Sequence, residues 1–241
     1  MSFLIPRPGG FQATELMAVE EALCSKEERT LFLEGPITYS RDDLYSAEYL
    51  INALIFLDKI NHEPIKLIIS SLGGVIELGL LLYDTIQCIN SPLYTVGRMN
   101  ASMATIILAS GRKGHRYIYP HSRTMLHLPV GGFEGDPKQV QRQIKEFDKF
   151  KDILIDIILK HGCTKSRTQI LEDIDREFWL RGKEAVDYGL ADEVITPEIH
   201  QELFGKPFKV KFPKRSRITT IKEVNGHKEG APQEENSGED E

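Results

Sequence analysis

With 241 residues, 41% of them hydrophobic, the chain has enough apolar side chains for a substantial core, and its length suggests one domain of roughly 200 residues followed by a tail. Three cysteines, Cys24, Cys88 and Cys163, form no even framework and no close Cys/His ligand pairing, so neither a disulfide scaffold nor a zinc site is indicated. The net charge of −6 is concentrated at the C-terminus, where Lys222 to Glu241 holds seven acids against two lysines and leaves the rest nearly neutral.

In chain order, Met1 to Phe11 has no basic stretch leading into a long apolar core, and nowhere do eighteen apolar residues run together. A secretory leader and a membrane span are therefore not expected, and the chain reads as cytoplasmic. From Arg29 to Pro197, strand-like runs at Thr30–Glu34, Ile65–Ser70, Leu93–Val96, Arg116–Tyr119 and Thr124–His127 alternate with helical patterns at Ser46–Ile60, Ile76–Ile89, Ala101–Ala109 and Pro137–Lys160. This alternation predicts an α/β domain. Gly135-Asp136-Pro137 starts the last helix, with Asp136 as N-cap and Pro137 in the first helical position, and His161-Gly162 follows its end. A helix of that length spans about 36 Å and is expected to project and pack against another subunit. Lys206 to Arg217 holds six basic residues and no acid. Pro207 and Pro213 and the adjacent acidic tail favour a solvated extension over a nucleic-acid strip. Asn225 to Glu241 lacks large apolar residues and is expected to be disordered.

Two segments carry candidate chemistry. Val96-Gly97-Arg98-Met99-Asn100-Ala101-Ser102-Met103-Ala104 sets Ser102 at a strand-to-helix junction, where unpaired N–H groups and the positive end of a helix dipole suit an oxyanion. A serine at a helix start is commonly a cap or packing filler, and a hydroxyl nucleophile needs a base. Among the seven histidines, His127 alone ends an apolar strand, in Arg123-Thr124-Met125-Leu126-His127-Leu128-Pro129. Ser70-Ser71-Leu72-Gly73-Gly74-Val75 leads a strand through paired glycines into a helix, so the backbone can approach a ligand or simply turn. The GxxxxGK[ST] phosphate-loop pattern is missing.

Together with Asp175-Arg176-Glu177-Phe178-Trp179 and Glu184-Ala185-Val186-Asp187-Tyr188-Gly189-Leu190-Ala191-Asp192, these segments resemble ClpP, the proteolytic subunit of the Clp protease, from about Arg29 to Pro197. The resemblance implies a ClpP/crotonase-type fold of repeated ββα units with a projecting handle helix. It further implies a serine endopeptidase with Ser102 as nucleophile, His127 as base, and the backbone N–H groups of Gly74 and Met103 as oxyanion hole, with no metal or cofactor. The family's triad aspartate is matched by Glu177, and Asp175 or Asp173 is an alternative; a glutamate can orient the imidazole as an aspartate does. Leu72 and Leu128 stand where the family usually has proline and glutamine.

The same resemblance implies unfolded polypeptides as substrates, an AAA+ unfoldase partner, and two heptameric rings interlocked through the handle helix into fourteen subunits, of one or two kinds. Arg176 would pair across the ring interface. Lys66, Ile68 and Cys88 match the unfoldase-docking pocket, weakened here by Lys66 and Cys88, and residues 1–28 match the family's pore region poorly. Residues 29–197 are expected to be the peptidase domain and 198–241 an extension. Two alternatives are a structural subunit completing a mixed ring, motivated by Glu177 and Lys66, and a crotonase-type acyl-CoA enzyme, which has no use for a Ser-His pair. A membrane-linked Ser-Lys peptidase fits less well.

Overall fold

The computed structural model describes residues 28–39 and 47–205; the expectations for residues 1–27 and 206–241 lie outside them. Apolar runs and helical patterns alternate as read: β1 (Thr30–Glu34), α1 (Ala47–Ile60), β2 (Ile65–Ser71), α2 (Ile76–Cys88), β3 (Leu93–Ala101), α3 (Met103–Ala109) and β4 (Arg116–Leu126). They are followed by α4 (Pro137–Lys160), α5 (Arg167–Asp173), β5 (Phe178–Arg181), α6 (Gly182–Tyr188), β6 (Glu193–Val194) and α7 (Pro197–Phe204). The architecture is mixed α/β. One sheet runs in the order β1-β2-β3-β4-β5, with β6 beside β4; only the β4–β5 pairing is antiparallel.

Period-two alternation sorts the strand residues between two layers. Leu31, Leu33, Ile65, Leu67, Ile69, Leu93 and Ile118 face the helices and join the main core, whereas Ile68, Val96 and Tyr117 form a smaller cluster on the other face with Ile195. Ile199, Leu203 and Phe204 of α7 cover that second cluster. Ordered structure therefore extends beyond Pro197, because Thr196 caps α7 by accepting from the Ile199 N–H and Pro197 takes a first-turn position.

Two strands are longer than their apolar runs suggest. β3 continues past Gly97 to Ala101 through a register shift between Gly97 and Met99, and β4 is one strand rather than two. The consequence is positional: Ala101 pairs with Met125, two residues short of His127. The carboxyl ends of β2, β3 and β4 and the amino end of antiparallel β5 then meet at one edge of the sheet, where open parallel sheets place ligands.

The long helix α4 has its expected cap, with the Asp136 carboxylate accepting from the N–H groups of Lys138 and Gln139. Its buried residues, Ile155, Ile157 and Ile158, all lie in its last two turns. The preceding turns carry none, so the helix is anchored at one end.

A buried ion pair ties β4 to the segment before β6. Arg116, fully buried, donates from Nη2 to Asp192 Oδ1 at 2.6 Å and from Nε to Oδ2 at 2.9 Å. Burial alone would raise the Asp192 carboxyl, but Arg116 and the N–H groups of Gly114 and Arg116 outweigh it and hold the group at about 2. A depressed carboxylate stabilises the fold above its unfolded value and loses that contribution as pH falls through the folded one. Asp192→Asn should lower the unfolding free energy by about 3 kcal/mol at neutral pH in urea titrations. The gap to the unsubstituted chain should narrow between about pH 4 and pH 2.

Candidate active site

The turn after β3 places the nucleophile candidate. Ser102 adopts φ 56° and ψ −126° immediately before α3, a left-handed conformation that non-glycine residues rarely take and that costs about 1–3 kcal/mol. Several hydrogen bonds impose it. The Ser102 N–H donates to the Met125 carbonyl at 2.8 Å, and the Thr105 hydroxyl reaches the carbonyls of Met125 at 2.8 Å and Asn100 at 3.0 Å. Ser102 is thereby fastened to β4 two residues before His127, and its Oγ lies 2.8 Å from His127 Nε2. Helix α3 begins at Met103 rather than Ala101 because Ala101 is still paired in the sheet.

The paired glycines fit against this turn. A Cβ on Gly73, at φ 86°, would lie 2.6 Å from the Ala101 carbonyl, 2.9 Å from Met103 N and 2.9 Å from Ser102 Cβ. One on Gly74 would lie 2.2 Å from the Ile37 carbonyl. The contact at Gly73 sets the nucleophile turn against the β2–α2 loop. The N–H groups of Gly74 and Met103 have no acceptor among the described residues, and both residues line the cavity that contains Ser102 and His127. They are two donors available beside the hydroxyl.

That cavity, of about 320 Å³, is otherwise walled mostly by apolar side chains, Ile106 of α3, Met125 of β4, and Leu154, Ile155 and Ile158 of α4, with Lys151 of α4 the charged exception. Leu72 and Val130 lie at it and are largely exposed. Burial pushes the His127 imidazole below its ordinary value, and the charge of Glu177 partly opposes that shift. A base kept neutral by burial, next to a hydroxyl and two free N–H donors, is the equipment for acyl transfer.

The three acids considered as third member lie in different settings. Asp173 accepts from the Tyr188 hydroxyl at 2.9 Å, and exposed Asp175 pairs with Arg176 at 3.8 Å. Glu177 stands one residue before β5. Since Leu126 pairs with Phe178 and Met125 with Trp179, continuing the register by one residue sets Glu177 opposite His127. Its carboxylate accepts from the Trp179 indole N–H at 3.0 Å, and it forms no hydrogen bond with His127. Of the candidate docking residues, Ile68 lies in the second cluster, and Lys66 donates to the Leu203 carbonyl at 3.0 Å with its ammonium over the Phe204 ring. Cys88 is exposed at the end of α2.

Thr105 and Trp179 do not stand out as site residues in the sequence. For Thr105 no signal exists, because its role depends on the β3–β4 register. For Trp179 the signal is alternation: Arg123, Met125 and His127 share one face of β4, and Glu177, Trp179 and Arg181 the matching face of β5.

Comparison with known proteins identifies the family. Residues 14–198 match the Clp protease family. ATP-dependent Clp protease proteolytic subunits resemble the chain: that of Carsonella ruddii is 38% identical over 171 residues, 70% of this chain and 84% of the relative. That of Bacteroides fragilis is 38% identical over 170 residues, 70% and 79%, and subunit 1 of Rhodopirellula baltica is 37% identical over 172 residues, 70% and 73%. The chain belongs to the Clp protease family, whose proteolytic subunits are proteases.

The tight fit at Gly73 has a measurable effect. Gly73→Ala should leave the far-ultraviolet circular dichroism essentially unchanged while reducing fluorophosphonate labelling of Ser102 by at least about 100-fold, on the scale of losing an oxyanion-hole donor. Labelling at the unsubstituted rate would mean that the glycine contact does not position the hydroxyl.

Proposed function

We propose that this chain is a serine endopeptidase subunit of a self-compartmentalising Clp protease, cleaving unfolded polypeptides. The observation that carries this reading is the 2.8 Å contact between Ser102 Oγ and His127 Nε2 beside two unengaged backbone donors. Ser102 Oγ attacks the scissile carbonyl carbon as its proton passes to His127 Nε2. The negative charge gathers on the former carbonyl oxygen, held by the N–H groups of Gly74 and Met103. Collapse breaks the C–N bond, His127 returns the proton to the leaving amine, and water hydrolyses the acyl-enzyme by the same steps with His127 again as base. Glu177, directly before β5 and opposite His127 in the extended register, stabilises the imidazolium formed in both halves. No metal or cofactor enters these steps.

The assembly reading is two heptameric rings, of one or two kinds of subunit, fed by an AAA+ unfoldase in the cytoplasm. Supporting it, α4 carries exposed Ile144 and Ile153 and has no buried residue in its first four turns. Arg176 is 93% exposed in its side chain, and among the described residues its one ion-pair partner is the neighbouring Asp175, which leaves its guanidinium accessible to a second subunit.

Intact-mass measurement after fluorophosphonate treatment of the assembled protein tests the chemistry. A single adduct on Ser102, lost in Ser102→Ala, is the expected result; no adduct in a ring-assembled sample would replace this reading with that of a structural subunit. Since burial lowers the His127 value, the base form persists below the ordinary histidine range. The acidic limb of kcat/KM should therefore fall at a pH below about 6.5. Glu177→Gln should reduce kcat by up to about 10⁴-fold, the effect of disabling the third member in a serine triad.

A further inference from the structure

Glu177 is a long, exposed side chain directly before a strand, and free rotation would disperse its charge over many rotamers. Two contacts oppose this. The Trp179 indole N–H donates to Glu177 Oε2 at 3.0 Å, and the Arg123 guanidinium stacks on the Trp179 ring at 3.9 Å, a cation–π contact that fixes the indole plane. Arg123 and His127 belong to one face of the same chain segment, and Trp179 and Glu177 to the facing one, in the β4–β5 register. The resulting ladder runs Arg123, Trp179, Glu177, His127, Ser102.

We propose that Trp179 is a positioning residue for the peptidase reaction: its indole N–H, held flat by Arg123, keeps the Glu177 carboxylate on the His127 side by binding one oxygen and leaving Oε1 for the imidazole. This rests on the assignment of Ser102, His127 and Glu177 as the catalytic group. With Nε2 accepting the Ser102 proton, Nδ1 carries the hydrogen, and a carboxylate already bound through one oxygen meets it with little loss of rotamer freedom. Arg123 and Trp179 contact no reacting atom and act only through Glu177. Besides Glu177, whose charge acts on His127, the charged side chain lining the cavity with His127 is Lys151 of α4, which pairs with Asp148 at 2.8 Å.

The test uses the assembled full-length protein with Trp179→Phe, which retains a ring for Arg123 and removes only the N–H, and Trp179→His, which restores a ring N–H. Trp179→Phe should lower kcat about tenfold with KM nearly unchanged, and Trp179→His should recover part of the loss. In a Glu177→Gln background, Trp179→Phe should have no further effect, because the group it positions is gone. A second readout does not depend on turnover: the pH dependence of His127 carbethoxylation, followed by peptide mass. Its midpoint should move downward in Trp179→Phe as the carboxylate withdraws. An unchanged kcat and midpoint, or an equal loss in the Glu177→Gln background, overturns the proposal. A protein without peptidase activity whose His127 midpoint still moves with Trp179→Phe would refute the peptidase reading and leave the positioning role standing.

Discussion

The hydrogen bond from the Ser102 N–H to the Met125 carbonyl fixes the distance on which the site depends. It joins the turn after one parallel strand to the body of the next, and the Thr105 hydroxyl repeats the connection one helical turn later. Without it, a serine in a left-handed conformation would relax, and the hydroxyl would leave the line of His127 Nε2. The register beneath it has the same effect: Ala101 falls against Met125 because β4 takes five residues, Ile118 to Arg123, where β3 takes two, Gly97 to Met99. Pairing, bulge and capping interaction thus act as one constraint.

The electrostatics follow from the layers. Helix α4 lays Leu154, Ile155 and Ile158 along the cavity that Ile106 of α3 and Met125 of β4 bound opposite, so burial favours the neutral imidazole. On the other side of the ring, the β4–β5 pairing brings in a carboxylate from the exposed face. Burial and charge act on His127 in opposite directions, and burial is the larger. Contributions to both come from segments remote in sequence, the α4 residues 154–158 and Glu177, so the imidazole is tuned in part by the tertiary structure.

Period and punctuation made most of the fold legible beforehand. Alternating apolar runs gave the α/β class and the four helices up to Lys160, and Asp136-Pro137 marked the start of α4 to the residue. Strand ends were harder: Gly97, Pro120 and His121 break the apolar pattern, yet β3 and β4 continue through them, with ladder pairing on either side of residues 119–122 and Ser122 donating to the Gly97 carbonyl. The short elements after α4 carry too few periodic residues to declare themselves. Ser102 and His127 were legible from their junctions and the family resemblance, and their contact from neither alone. The Trp179 link was legible only in part: alternation puts Glu177 and Trp179 on one face, but their place beside a particular histidine depends on the strand register.

The backbone at Ser102 also bears on how this protein varies. A glycine there would adopt φ 56° without strain, so the substitution that removes the hydroxyl would also relieve the turn. Alanine, with the same Cβ, silences the hydroxyl and keeps the strain. For a chemically dead reference protein whose backbone stays taut, alanine is the faithful replacement and glycine the misleading one.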